Sequence, residues 1–80
     1  MNFNTWLDTF LDEKGIDRDR MFQVEGSWGP NFIPLETVVE HMKIAPKHEK
    51  DALQNMLVKI DFNNGDVYHY LYHLAGALAI

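Results

Sequence analysis

The chain has no cysteine among its 80 residues. That absence excludes disulfides, thiolate nucleophiles and cysteine-ligated zinc together, and it is what a reducing compartment would show. No apolar run approaches the roughly 18 residues a membrane span requires. The C-terminal LAGALAI is apolar but too short, and Met1 to Thr5 carry neither a basic stretch nor an apolar one, so no secretory leader is expected. Cations are scarce: 7 Lys and Arg against 12 Asp and Glu leave a formal net charge of −5. Nucleic-acid binders draw their affinity from phosphate neutralisation by a cationic face. The nearest feature here is Lys43, Lys47, Lys50 and Lys59, interleaved with Glu49 and Asp51. Nucleic acid is therefore not an expected partner, and −5 is mild for a protein that imitates DNA with its own carboxylates. Serine is limited to Ser27, and no nucleophile elbow, phosphate-binding loop or dinucleotide fingerprint is present.

What is present reads as one small globular domain over residues 1–80, expected in the cytoplasm. The hydrophobic fraction of 46% argues against disorder. A chain of this length buries only about 60% of its unfolded surface, so its stability margin is narrow.

Phe3, Trp6, Leu7, Phe10 and Leu11 recur at three- and four-residue spacing and predict a helix over 3–14. Asn2 or Asn4 can cap its start, Gly15 can end it, and Ile16 can make the apolar contact that accompanies such a stop. After a charged connector at 16–20, MFQVE (21–25) and NFIPL (31–35) predict a short β-hairpin with Trp28 at its tip. Pro34 cannot donate to a ladder, which confines its strand to an edge, and it suits the first turn of a following helix. Leu35, Val38, Val39 and Met42 share one helical face. Pro46 stops that helix and starts another, whose stripe is Leu53, Met56, Leu57 and Ile60. Residues 58–70 are ambiguous, because Val58, Ile60 and Phe62 alternate and NNG is a hairpin signal. The helical stripe favours helix–loop–helix, with Gly65 ending one helix and Asp66 capping the next. Val67, Leu71, Leu74 and Leu78 then run at helical spacing. The expected fold is α+β and mostly helical: three to four helices with one hairpin, in the order α-ββ-α-α-α.

The last helix carries the most unusual local composition. No Lys, Arg, Asp or Glu occurs from Val67 to Ile80, whereas a surface helix normally carries charge on its outer face. Either this helix is central and covered, or its Tyr/His side is a protein interface, where tyrosine is enriched and charge depleted. Tyr68 and Tyr72 flank the core stripe. His69 and His73, at i and i+4, project from one side and could supply two metal ligands. No H-E-x-x-H pattern occurs, so two solvent-facing histidines explain the same residues. Gly76, among Ala75, Ala77 and Ala79, would let another helix approach closely. Trp28 either folds back towards Trp6 and Phe32 or projects as an interface anchor.

Two other features resolve to ordinary readings. Asp8, Asp12, Glu13, Asp17 and Asp19, relieved by Lys14, Arg18 and Arg20, form a solvated acidic face. A calcium loop starting at Asp61 would need glycine at 66 and glutamate at 72, where the chain has Asp66 and Tyr72.

These residues together point to a small non-enzymatic interaction or regulatory domain that needs no cofactor and binds a protein partner or a second copy of itself. Trp28, Tyr68, His69, Tyr72, His73 and Gly76 are the expected contact residues. By analogy of size alone, such a domain resembles accessory proteins of bacteria or mobile elements. Metal binding or a minor enzyme built on His69 and His73 is the alternative, followed by a nucleic-acid-related role.

Overall fold

The computed structural model describes residues 2–26, 29–60 and 63–78, with backbone alone for Gly26, Gly29, Pro30 and Asn64. It has the expected architecture, four helices and one antiparallel two-stranded hairpin in the order α-ββ-α-α-α. Trp28 lies outside the described residues, as do Ala79 and Ile80.

Helix α1 spans Phe3–Lys14. Its first free N–H groups need an acceptor, and the Asn2 side chain takes the Thr5 N–H at 2.9 Å. At the other end Gly15 adopts φ +67°, a left-handed conformation that a Cβ would penalise. The Gly15 N–H then reaches the Asp12 carbonyl and the Ile16 N–H reaches the Leu11 carbonyl, at 3.1 and 3.0 Å. Ile16 turns into the core as a result.

Strands β1 (Met21–Gly26) and β2 (Gly29–Pro34) pair from Met21↔Pro34 to Gly26↔Gly29. Asn31 pairs as expected, and pairing continues beyond it through Gly29 and Pro30 to Gly26, which the turn chemistry of the sequence assigns to the tip. Both prolines are tolerated because a two-stranded sheet leaves each strand one unpaired edge. Phe22 and Val24 face inward and are buried, while Met21 and Phe32 are on the opposite, exposed face.

Helix α2 (Leu35–Lys43) follows Pro34 directly and has no side-chain cap. The connector supplies one instead: the carbonyls of Arg20 and Arg18 accept from the N–H groups of Leu35 and Glu36 at 2.8 and 3.0 Å. Helix α3 (Lys47–Lys59) begins after Pro46, whose carbonyl accepts the N–H groups of Glu49 and Lys50. Of its predicted stripe, Leu53 and Leu57 are buried, but Met56 remains 38% exposed.

Helix α4 spans Asn64–Leu78, so the 58–70 segment is helical on both sides of residues 61–62, which lie outside the described residues. The boundary residues differ from expectation. Gly65 lies inside the first turn of α4 and does not end α3. The cap is Asn63, whose Oδ1 accepts the Asp66 N–H at 2.9 Å, while its Nδ2 donates to the Asp66 carboxylate at 2.7 Å. An Asx residue followed three positions later by an acid is a helix start, and the first-turn N–H of Gly65 has no helical acceptor to lose.

The core collects Leu7, Phe10 and Leu11 of α1, Phe22 and Val24 of β1, the full face of α2, Leu53 and Leu57 of α3, and Val67, Leu71 and Ala75 of α4. Each fully buried Leu contributes about 1.5–3 kcal/mol. Helix α4 lies against α2 and β1, and α1 lies against α3. Among the described residues this leaves α4 covered on one side only.

Candidate interaction face on the last helix

The 3.6-residue period places Val67, Leu71 and Ala75 of α4 against the core and Gly65, His69, Tyr72, His73 and Gly76 on the far side. His69 and His73 are exposed, and Tyr72 is 40% exposed. Gly76 is half-buried, yet a Cβ added to it would meet nothing within 4 Å. No other element among the described residues closes over that position. The outer face therefore meets solvent with aromatic, imidazole and aliphatic groups and no ionised side chain. Asp66 is the one ionised residue of α4, and it is engaged with Asn63 in the first turn.

The side chains on this face are held in place. Tyr72 meets buried Phe22 edge-on, with centroids 5.9 Å apart, and stands 5.9 Å from His73. The His69 and His73 rings are nearly perpendicular at 4.6 Å between centroids, with their Nε2 atoms 3.1 Å apart. Tyr68, on the flank, is placed differently from Tyr72. Its hydroxyl accepts the Asp17 N–H at 2.7 Å, and the Arg20 guanidinium lies over its ring at 4.3 Å. Tyr68 thereby fastens the 16–20 connector to α4 and reaches the outer face only at its edge.

Between the hairpin and α4 these groups enclose an open cleft of about 330 Å³, lined by Arg20, Phe22, Gly65, Tyr68, His69 and Tyr72. Arg20 could not be assigned to this face from sequence, because only the folded chain brings residue 20 against residue 68. A second cleft of about 250 Å³ lies among α2, α3 and α4 and includes Val38, Met42, Leu53, Tyr70 and Leu74.

Several other charged groups are occupied with one another. Asp8, half-buried on α1, sits between Arg18 and Lys43 at 3.0 and 2.9 Å. Arg18 also approaches Glu36 and Asp12, and Lys43 approaches Glu40, each at 3.6 Å. The Lys43 ammonium, hydrogen-bonded to Asp8, holds that carboxyl below the usual carboxylate range against a smaller opposing effect of burial, and Arg18 adds to the depression. Asp8 in turn holds Lys43 above the usual lysine range. Asp8 is thus a link between α1, the connector and α2 within the acidic region. In the basic group, Lys47 pairs with Asp51 at 2.9 Å and Lys50 lies over the Phe3 ring.

Three of the four lysines that could have made a cationic stripe are accordingly engaged. Among the described residues no group of three or more His, Asp or Glu side chains could hold a metal within one chain, and no helix is long and apolar enough to cross a membrane.

No protein-family model, no curated protein and no solved structure matches the chain. What it does has to be argued from its own surface.

Proposed function

We propose that this chain is a small non-enzymatic interaction domain that binds another protein, or a second copy of itself, through the outer face of α4. One observation carries the reading: an exposed helical face, His69–Tyr72–His73–Gly76, lacks every ionised side chain in a protein that is 24% charged. A face that served only to meet water would carry charge. Depletion of charge together with exposed tyrosine and an open glycine is the composition of contact surfaces. Arg20, beside the cleft, gives the face a polar margin of the kind that surrounds interface cores.

The experiment is sedimentation velocity of the untagged chain over a range of concentrations, for the wild type and Tyr72→Glu. The reading expects a species larger than the 9.3 kDa monomer that Tyr72→Glu returns to monomer while unfolding remains cooperative. A monomer at every concentration, unaffected by Tyr72→Glu, removes self-association of the chain without an added ligand.

A further inference from the structure

We propose that His69 and His73 form half of a zinc site, completed by the same pair from a second copy, so that the metal bridges two α4 helices. The proposal rests on the reading of α4 as an interface and specifies its occupant. Two observations lead to it: the geometry of the pair and its incompleteness.

The two Nε2 atoms are hydrogen-bonded to each other at 3.1 Å on the exposed side of α4, and a metal between them would replace that bond. Nitrogens bound to one tetrahedral zinc at about 2.0–2.1 Å are separated by about 3.3 Å. The pair is therefore within a few tenths of an ångström of the spacing zinc requires, and imidazole is a ligand that zinc favours. Within one chain the ligand set stops at two, since no third His, Asp or Glu among the described residues joins them. Structural zinc takes four protein ligands. A twofold axis supplies the missing two, because an isologous contact brings the same patch of each copy together.

Charge and shape agree with that arrangement. Each copy carries −5, so most ways of bringing two copies together oppose like charges. The outer face of α4 itself carries no ionised side chain, Arg20 standing at its margin over Tyr68, and a divalent cation on the axis adds attraction to two chains of net negative charge. Gly76 lies three residues beyond His73, and nothing among the described residues fills the space above it, so a second helix can approach there.

The test uses the untagged full chain, stripped of metal with a chelator and titrated with zinc chloride. Sedimentation and elemental analysis are read together. The expected result is a doubling of mass from 9.3 kDa at one zinc per two chains, reversed by chelator. His69→Ala and His73→Ala should each abolish that doubling without shifting the thermal unfolding of the zinc-free monomer, since both side chains are exposed. Cobalt in place of zinc should give the intense visible absorption of a tetrahedral site. Zinc bound at one per chain without association, or no binding at all, overturns the proposal. Association that needs no metal and survives both histidine variants also overturns it, but leaves the α4 interface standing. A monomer that ignores zinc and Tyr72→Glu alike overturns the proposal and removes self-association, leaving only a different protein as the partner of the α4 face.

Discussion

Gly76→Lys should move stability and association in opposite directions. Gly76 is inside α4, two residues before its end at Leu78, with no positive φ and, among the described residues, no neighbour to obstruct a side chain. Glycine costs a helix about 0.8–1 kcal/mol relative to alanine, and lysine only a few tenths. Lysine in the last turn also meets the negative end of the helix dipole, worth about 0.3 kcal/mol at an exposed site. The sum, reduced for fraying at the helix end, is a gain of about 0.5–1 kcal/mol, or a rise in Tm of roughly 3–6 °C for a domain of this size. The same ammonium would stand in the middle of the proposed contact face and would have to be desolvated for two chains to meet. Thermal unfolding of a dilute sample, under monomeric conditions, measures the first effect, and sedimentation at high concentration measures the second. Gly76→Ala separates them, since it should give most of the stabilisation without placing a charge in the contact face. Two outcomes would refute the reasoning. A loss of stability would mean that something does pack over Gly76, and association unchanged by the lysine would mean that contact occurs elsewhere.

Other expectations follow from particular contacts. Tyr68→Phe should cost about 0.5–1 kcal/mol, the net worth of an exposed hydrogen bond, and speed amide exchange at Asp17, yet leave association unchanged; altered association would place Tyr68 within the interface. Gly15→Ala should cost about 1 kcal/mol or more from the left-handed backbone alone, and Asn63→Ala about 0.5–2 kcal/mol from the lost cap, both read by chemical denaturation. The Asp8 carboxyl is depressed in the fold, so its contribution is present above about pH 4 and is lost as pH falls through its lower folded value. Lys43 is raised, so its share persists below about pH 10 and is lost as pH rises through its higher folded value. At 41% side-chain exposure for Asp8 and 19% for Lys43, solvent screening limits the pair to about 1 kcal/mol. The stability difference between wild type and Asp8→Asn should be flat near neutrality and narrow in acid; a difference that stays constant into strong acid would contradict the pairing.

Local rules decided most of the fold. Residues 2–16 contain a complete helix with its cap, its apolar stripe and its stop, and each signal acts within four or five positions. The two prolines at 34 and 46 mark helix starts because the imino nitrogen costs nothing there. The hairpin was visible, but its extent was not: Gly-x-x-Gly-Pro reads as turn chemistry, and only an unpaired strand edge explains how Pro30 joins β2. The 58–70 segment was legible as helices from its periodicity, whereas the cap was misplaced by three residues because Asn63, Gly65 and Asp66 all favour helix ends and only hydrogen-bond geometry separates them.

The site divides in the same way. The far face of α4 could be drawn from a helical wheel, since the absence of charge is a property of the sequence. That α4 is covered on one side only depends on tertiary packing. So does the split between Tyr68, held by Asp17 and Arg20, and Tyr72, left half in solvent. The Asp8 link to Lys43 spans 35 positions, and no local pattern anticipates it.

The most direct test of the α4 face as a contact surface is hydroxyl-radical footprinting of the untagged chain, dilute and zinc-free against concentrated and zinc-loaded. His69, Tyr72 and His73 should react readily in the first condition and be protected in the second, with Phe32 on the hairpin and Met56 on α3 unchanged. Protection of Phe32 or Met56 while the α4 residues stay reactive, or no protection anywhere, would contradict the account.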